Sequence, residues 1–77
     1  MRGKSIVTKE ELKKRLDERP FQPFKVCLAS GNEIEVPSAD HAHLHITGRT
    51  LFVDLDQGGT EIIDVLLITS LRLMEVA

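Results

Sequence analysis

Three histidines alternate as His41-x-His43-x-His45, and no other residues in this chain have types and spacing so suited to chemistry. On a β-strand, residues two apart point the same way, with Cα atoms about 6.5–7 Å apart. Two such imidazoles can converge on one metal ion, whereas the outer two of three stand ~13 Å apart before any curvature. If their strand pairs with residues 49–55 through an even loop, Asp54 falls opposite His41. His41, His43 and Asp54 would then form a two-histidine, one-carboxylate set suited to Zn²⁺, Fe²⁺ or Mn²⁺ with open positions. The same alternation has a second reading. Ala42, Leu44 and Ile46 supply a buried face, which leaves the histidines as the polar half of an amphipathic strand. Phe52 shares their face, so His43, His45 and Phe52 also suit a protein-contact surface. No resident cofactor is expected.

Nucleophilic catalysis has little to work with. The single cysteine, Cys27, is expected beside Glu35, and an acidic neighbour opposes formation of a thiolate. There is no Gly-x-Ser-x-Gly, no phosphate-binding glycine loop and no paired cysteines of a zinc knuckle. Asp54, Asp56 and Asp64 lack the glycine and glutamate of a calcium loop. The chain is expected not to be an enzyme.

Charge is unevenly placed. Residues 1–25 carry eight Lys/Arg against four Asp/Glu, and the remainder carries two against eight, within a net charge of −2. The basic arm, Lys4, Lys9, Lys13, Lys14, Arg15 and Arg19, could contact phosphates, which makes nucleic acid the alternative partner. With three Phe and no Trp or Tyr, a base-stacking platform is hard to assemble. One cysteine excludes an internal disulfide framework and fits a reducing cytoplasm, where the protein is expected. No membrane association is expected, because no apolar run follows the basic start and none is long enough to span a bilayer.

The elements that must position these residues follow from local signals. Seventy-seven residues make one domain, with residues 1–6 expected to fray. Thr8 and Glu11 form a capping box, and Val7 and Leu12 a hydrophobic staple. Glu10–Lys14 and Glu11–Arg15 add i,i+4 pairs, and Pro20 closes a helix over residues 9–18. Its apolar stripe is only Leu12 and Leu16, so it must dock on a sheet. Pro20-Phe21-Gln22-Pro23-Phe24 is a stiff connector whose two rings are expected in the core.

Residues 24–76 read as a β-meander. Phe24, Val26 and Leu28 alternate against Lys25, Cys27 and Ala29, and residues 33–36 repeat the pattern. A three-residue loop at Ser30-Gly31-Asn32 sets Leu28 opposite Ile34 and Val26 opposite Val36, with Asn32 in the left-handed region. Pro37 interrupts the second strand. The next hairpin sets Ala42 opposite Val53 and Leu44 opposite Leu51, with Ile46 and Leu55 on the same face. Residues 64–67 bend or form a helical turn before a last strand at 69–74.

A helix feeding Pro20-Phe21-Gln22-Pro23-Phe24-Lys25-Val26, then Ser30-Gly31-x-x-Ile34-x-Val36, Gly48-Arg49-Thr50-Leu51-Phe52-Val53 and Ile68-Thr69-Ser70-Leu71, resembles a group of small uncharacterised bacterial proteins. That resemblance implies a bacterial origin and a compact fold, and brings no activity. The layout also resembles the Sm-like and SH3-like small barrels, with Ser38-Ala39-Asp40 and Ile68-Thr69-Ser70 as the points of likeness. It departs at Pro37 and at Leu44, where Sm proteins place a base-contacting polar residue. The expected fold is therefore α+β: an N-terminal helix packed on a strongly curved five-stranded antiparallel sheet closing toward a small barrel. The expected function is a non-catalytic interaction module that self-associates or binds a protein partner.

Overall fold

The computed structural model describes residues 7–74. The frayed segment expected at 1–6, with Lys4, and the end of the β region at 75–76 lie outside the described residues.

The helix forms where the capping signals place it, as α1, Lys9–Asp17. Thr8 Oγ1 accepts from the Glu11 backbone N–H at 3.2 Å, satisfying one of the donors a helix start leaves open. Leu12 is fully buried, and Val7 and Leu16 pack beside the same core. The ion pairs differ from those expected: Lys13 bonds Asp17 at 3.2 Å and Arg15 bonds Glu18 at 2.9 Å.

Six strands follow: β1 Phe24–Leu28, β2 Glu33–Val36, β3 Ala42–Leu44, β4 Thr50–Asp54, β5 Thr60–Asp64 and β6 Ile68–Leu73. They form two three-stranded antiparallel sheets, ordered β2-β1-β6 and β3-β4-β5. This corrects the expected single curved five-stranded sheet and its closure into an SH3-like or Sm-like barrel. The reason lies at two crossings. Pro37 ends β2, and a 3-10 turn at Ala39–His41 carries the chain into the other sheet. A second 3-10 turn, Val65–Leu67, brings it back, with Asp64 Oδ1 accepting from the Leu66 N–H at 3.0 Å. Turns replace bent strands at both crossings, so no strand is shared and neither sheet closes.

Registers show where alternation suffices and where it does not. Between β3 and β4, Ala42 faces Val53 and Leu44 faces Leu51, as alternation predicts. Between β1 and β2, Val26 faces Ile34 and Phe24 faces Val36, two residues from the expected pairing. The loop does hold three residues, but they are Ala29, Ser30 and Gly31, closed by Leu28 N–H to Asn32 O at 2.9 Å. Gly31, at φ +96, takes the conformation assigned to Asn32, because an absent Cβ makes positive φ cheap. A slip of two keeps every side chain on its face.

One core joins the helix and both sheets. Leu12, Phe24, Val26, Val36, Leu51 and Val53 are fully buried, and Ala42, Ile63, Val65 and Ile68 nearly so. Apart from Ala42, each such side chain is worth about 1.5–3 kcal/mol of burial. Phe21 caps this cluster from the connector, its ring centroid 5.9 Å from that of Phe24. Ile46 departs from expectation and is 94% exposed, because β3 ends at Leu44 and the chain turns before Ile46 can face inward.

Candidate functional site

The three histidines do not share an environment. His41 belongs to the 3-10 turn, not to the strand. Its Nε2 stands 3.0 Å from Asp56 Oδ1 and its Nδ1 2.8 Å from Ser38 Oγ. A carboxylate only accepts, so Nε2 carries the proton and donates to Asp56, which leaves Nδ1 to accept from the Ser38 hydroxyl in the neutral ring. Both nitrogens are thereby engaged within the fold. Asp54, the expected third ligand, instead has Oδ1 accepting from the Thr60 hydroxyl at 3.1 Å. His43 is exposed on β3 opposite Phe52. The structure therefore does not assemble His41, His43 and Asp54, and among the described residues no three His, Cys, Asp or Glu side chains are grouped to hold a metal ion.

The expected contact residues do come together. His43 and Phe52 are cross-strand neighbours, and the His45 ring meets Phe52 edge-on with centroids 6.5 Å apart. His45 is oriented by its own loop, its Nδ1 accepting from the Thr47 N–H at 3.2 Å. Phe52 is also the cross-strand neighbour of Ile62 on β5, which is 69% exposed. His43, Phe52 and Ile62 thus lie side by side across three strands on the outer face of one sheet. Their inward counterparts Leu51, Val53 and Ile63 fill the core.

Ile62 is the residue that sequence reasoning missed. A curled sheet that buried both faces of the last segment left no exposed apolar position there. The signal was present in Ile62-Ile63, two adjacent apolar residues on a strand, of which one must face outward unless both faces are covered. Leu66 and Leu67, in the turn directly after β5, are exposed as well.

Three of the five basic residues between 9 and 19 are committed to α1 or to its end. Lys13 pairs with Asp17 and Arg15 with Glu18. Arg19 donates to the carbonyls of Leu16 and Glu18 at 3.0 and 2.8 Å, where a cation complements the helix C-terminus. Lys9 lies over Gly48 in the loop between β3 and β4, and Lys14 is exposed. Between α1 and β3 runs an open groove lined by Lys9, Lys13 and Arg19 but also by Glu10, Asp17 and Asp40. Its mixed charge does not favour a polyanion.

Cys27 is buried on the central strand of the other sheet, opposite Glu33 and Ser70. Above that face Glu33 accepts from Arg72 at 3.4 Å and lies 3.6 Å from the Lys25 ammonium. No helix among the described residues is long and apolar enough to cross a membrane. No protein-family model matches this sequence, and no curated protein and no solved structure matches it.

Proposed function

We propose that this protein is a non-catalytic interaction module that binds protein, a second copy of itself first, through the outer face of β3, β4 and β5. The observation that carries this reading is the apolar pair of half-buried Phe52 and exposed Ile62, set between His43 and the polar rim of Thr50, Asp54, Thr60 and Asp64. An apolar, aromatic-bearing centre with a polar margin is the composition of a protein interface. The non-catalytic part rests on the chemistry available: Cys27 is buried and His41 is bound at both nitrogens.

Nucleic-acid binding through α1 has less behind it. Residues 8–19 hold five Lys/Arg and four Asp/Glu, and three of the five cations already have partners in the helix or at its end. Native mass spectrometry of the protein purified from its own host tests the choice. We expect a second copy or a protein partner, lost in Phe52→Ser and in His43→Glu while the melting temperature of His43→Glu is kept. A bare monomer overturns the reading. So does co-purified nucleic acid that Lys13→Glu with Lys14→Glu removes.

A further inference from the structure

We infer that two copies of this chain join through the free edge of β5, antiparallel and centred on Ile62, to make one six-stranded sheet. The inference deepens the contact-face reading and rests on it for the partner class.

β5 is the edge with the least protection. Leu55 N–H bonds Gly59 O at 3.0 Å, and the antiparallel alternation then makes Val53–Glu61 and Leu51–Ile63 the hydrogen-bonded pairs. The N–H and C=O of Thr60, Ile62 and Asp64 consequently point away from β4. Among the described residues no backbone bond meets them from that side. Such a row of donors and acceptors is a template for another strand.

The other three edges carry devices that discourage pairing. On β2, bonding of Leu28 to Asn32 turns the backbone groups of Glu33 and Glu35 outward, so pairing there would bring carboxylates together, and Pro37 follows at once. β3 is three residues long, and α1 lies against it. β6 is bulged against β1, where Cys27 faces Ser70 and Leu28 faces Ile68, leaving Thr69 between them. β5 has five residues with no proline and no bulge, and among the described residues no strand pairs with its outer edge.

The side chains select a second copy and a register. With Ile62 on the two-fold axis, Thr60 faces Asp64 of the second copy and Glu61 faces its Ile63. Both acids of β5 therefore meet a non-acidic residue, whereas an axis on Glu61 or on Asp64 would set that acid against its own equivalent. The same patch serves both copies, as a two-fold interface requires. Ile62 meets Ile62 at the centre, and the row His43–Phe52–Ile62 continues into its own mirror sequence on one face. Thr60, Ile62 and Asp64 each exchange their unused backbone bonds with the second copy.

The test combines light scattering with disulfide trapping on the full chain. A dimer is expected at micromolar concentration, with Ile62→Asp weakening it at least about tenfold by placing two carboxylates across the axis. Ile62 is exposed, so the monomer of Ile62→Asp should melt as wild type does. Hydrogen-bonded antiparallel pairs have Cα atoms about 5.5 Å apart, within disulfide reach. Mild oxidation should therefore cross-link Ile62→Cys to itself, and a mixture of Thr60→Cys with Asp64→Cys to each other. Neither wild type, whose Cys27 is buried, nor Thr60→Cys alone should cross-link. A monomer throughout the micromolar range overturns the inference, as does an assembly indifferent to Ile62→Asp or one larger than a dimer. The two readings separate cleanly. A monomer that binds another protein through Phe52 sinks the dimer and spares the contact face, while a dimer unchanged in both Phe52→Ser and His43→Glu does the reverse.

Discussion

His41 donates from Nε2 to the carboxylate of Asp56 at 3.0 Å, and this single contact ties the turn after Pro37 to the loop between β4 and β5. The turn carries the chain from one sheet to the other, so the bond holds a crossing in place. Asp56 is mostly exposed, which limits the bond's strength. In a double-mutant cycle, His41→Ala and Asp56→Ala should show a coupling of about 0.2–1 kcal/mol by chemical denaturation. A coupling of zero would mean that the contact is incidental.

A histidine committed in this way is a poor metal ligand. Zinc titrated into the protein by calorimetry should bind wild type no more tightly than His43→Ala. A wild-type affinity at least about tenfold tighter than both His43→Ala and His41→Ala would show that His41 can be recruited from Asp56 and would reinstate the two-histidine set.

Burial separates residues that the sequence treats alike. Leu51 is fully buried on β4, and Ile46 stands in solvent just beyond β3. Leu51→Ala should cost about 2–5 kcal/mol, a large share of the whole stability of so small a domain. Ile46→Ala should stay within about 0.5 kcal/mol. Equal effects in urea unfolding would contradict the placement of the β3–β4 loop.

The loop between β3 and β4 depends on a glycine that the helix sits upon. Gly48 has φ +77, and a Cβ there would lie 2.9 Å from Lys9 Cβ. Gly31 has φ +96 with open space around it. Gly31→Ala should cost about 1–2 kcal/mol from backbone strain alone. Gly48→Ala should cost more, and Lys9→Ala should recover part of the difference in thermal melts.

The side-chain faces were legible because burial and β geometry share a period of two. Phe24 and Val26 face the core as alternation demands, and so do Ala42, Leu51 and Val53. That same period cannot tell Val26 opposite Ile34 from Val26 opposite Val36, and only the backbone preference of Gly31 decides. The sheet to which each strand belongs was not legible. It turns on the pairing of β1 with β6, which no local pattern announces. At the candidate site, His43, His45 and Phe52 were found from their shared face. His41 was misplaced because a 3-10 turn imitates one more step of strand alternation. Ile62 was hidden by the expectation of a closed barrel.

That pairing of β1 with β6 also orders events in time. Phe24 is matched with Leu73 and Leu28 with Ile68, whereas β3, β4 and β5 are joined by consecutive hairpins. During synthesis the β3–β5 meander can form as soon as its last hairpin has emerged, but β1 must wait until β6 has followed it. Until then Phe24 and Val26 lack one neighbouring strand, and the unfinished chain exposes the residues that later become its best-buried ones. Synthesis paused before Ile68 should therefore leave a nascent chain prone to capture by whatever recognises exposed apolar strands.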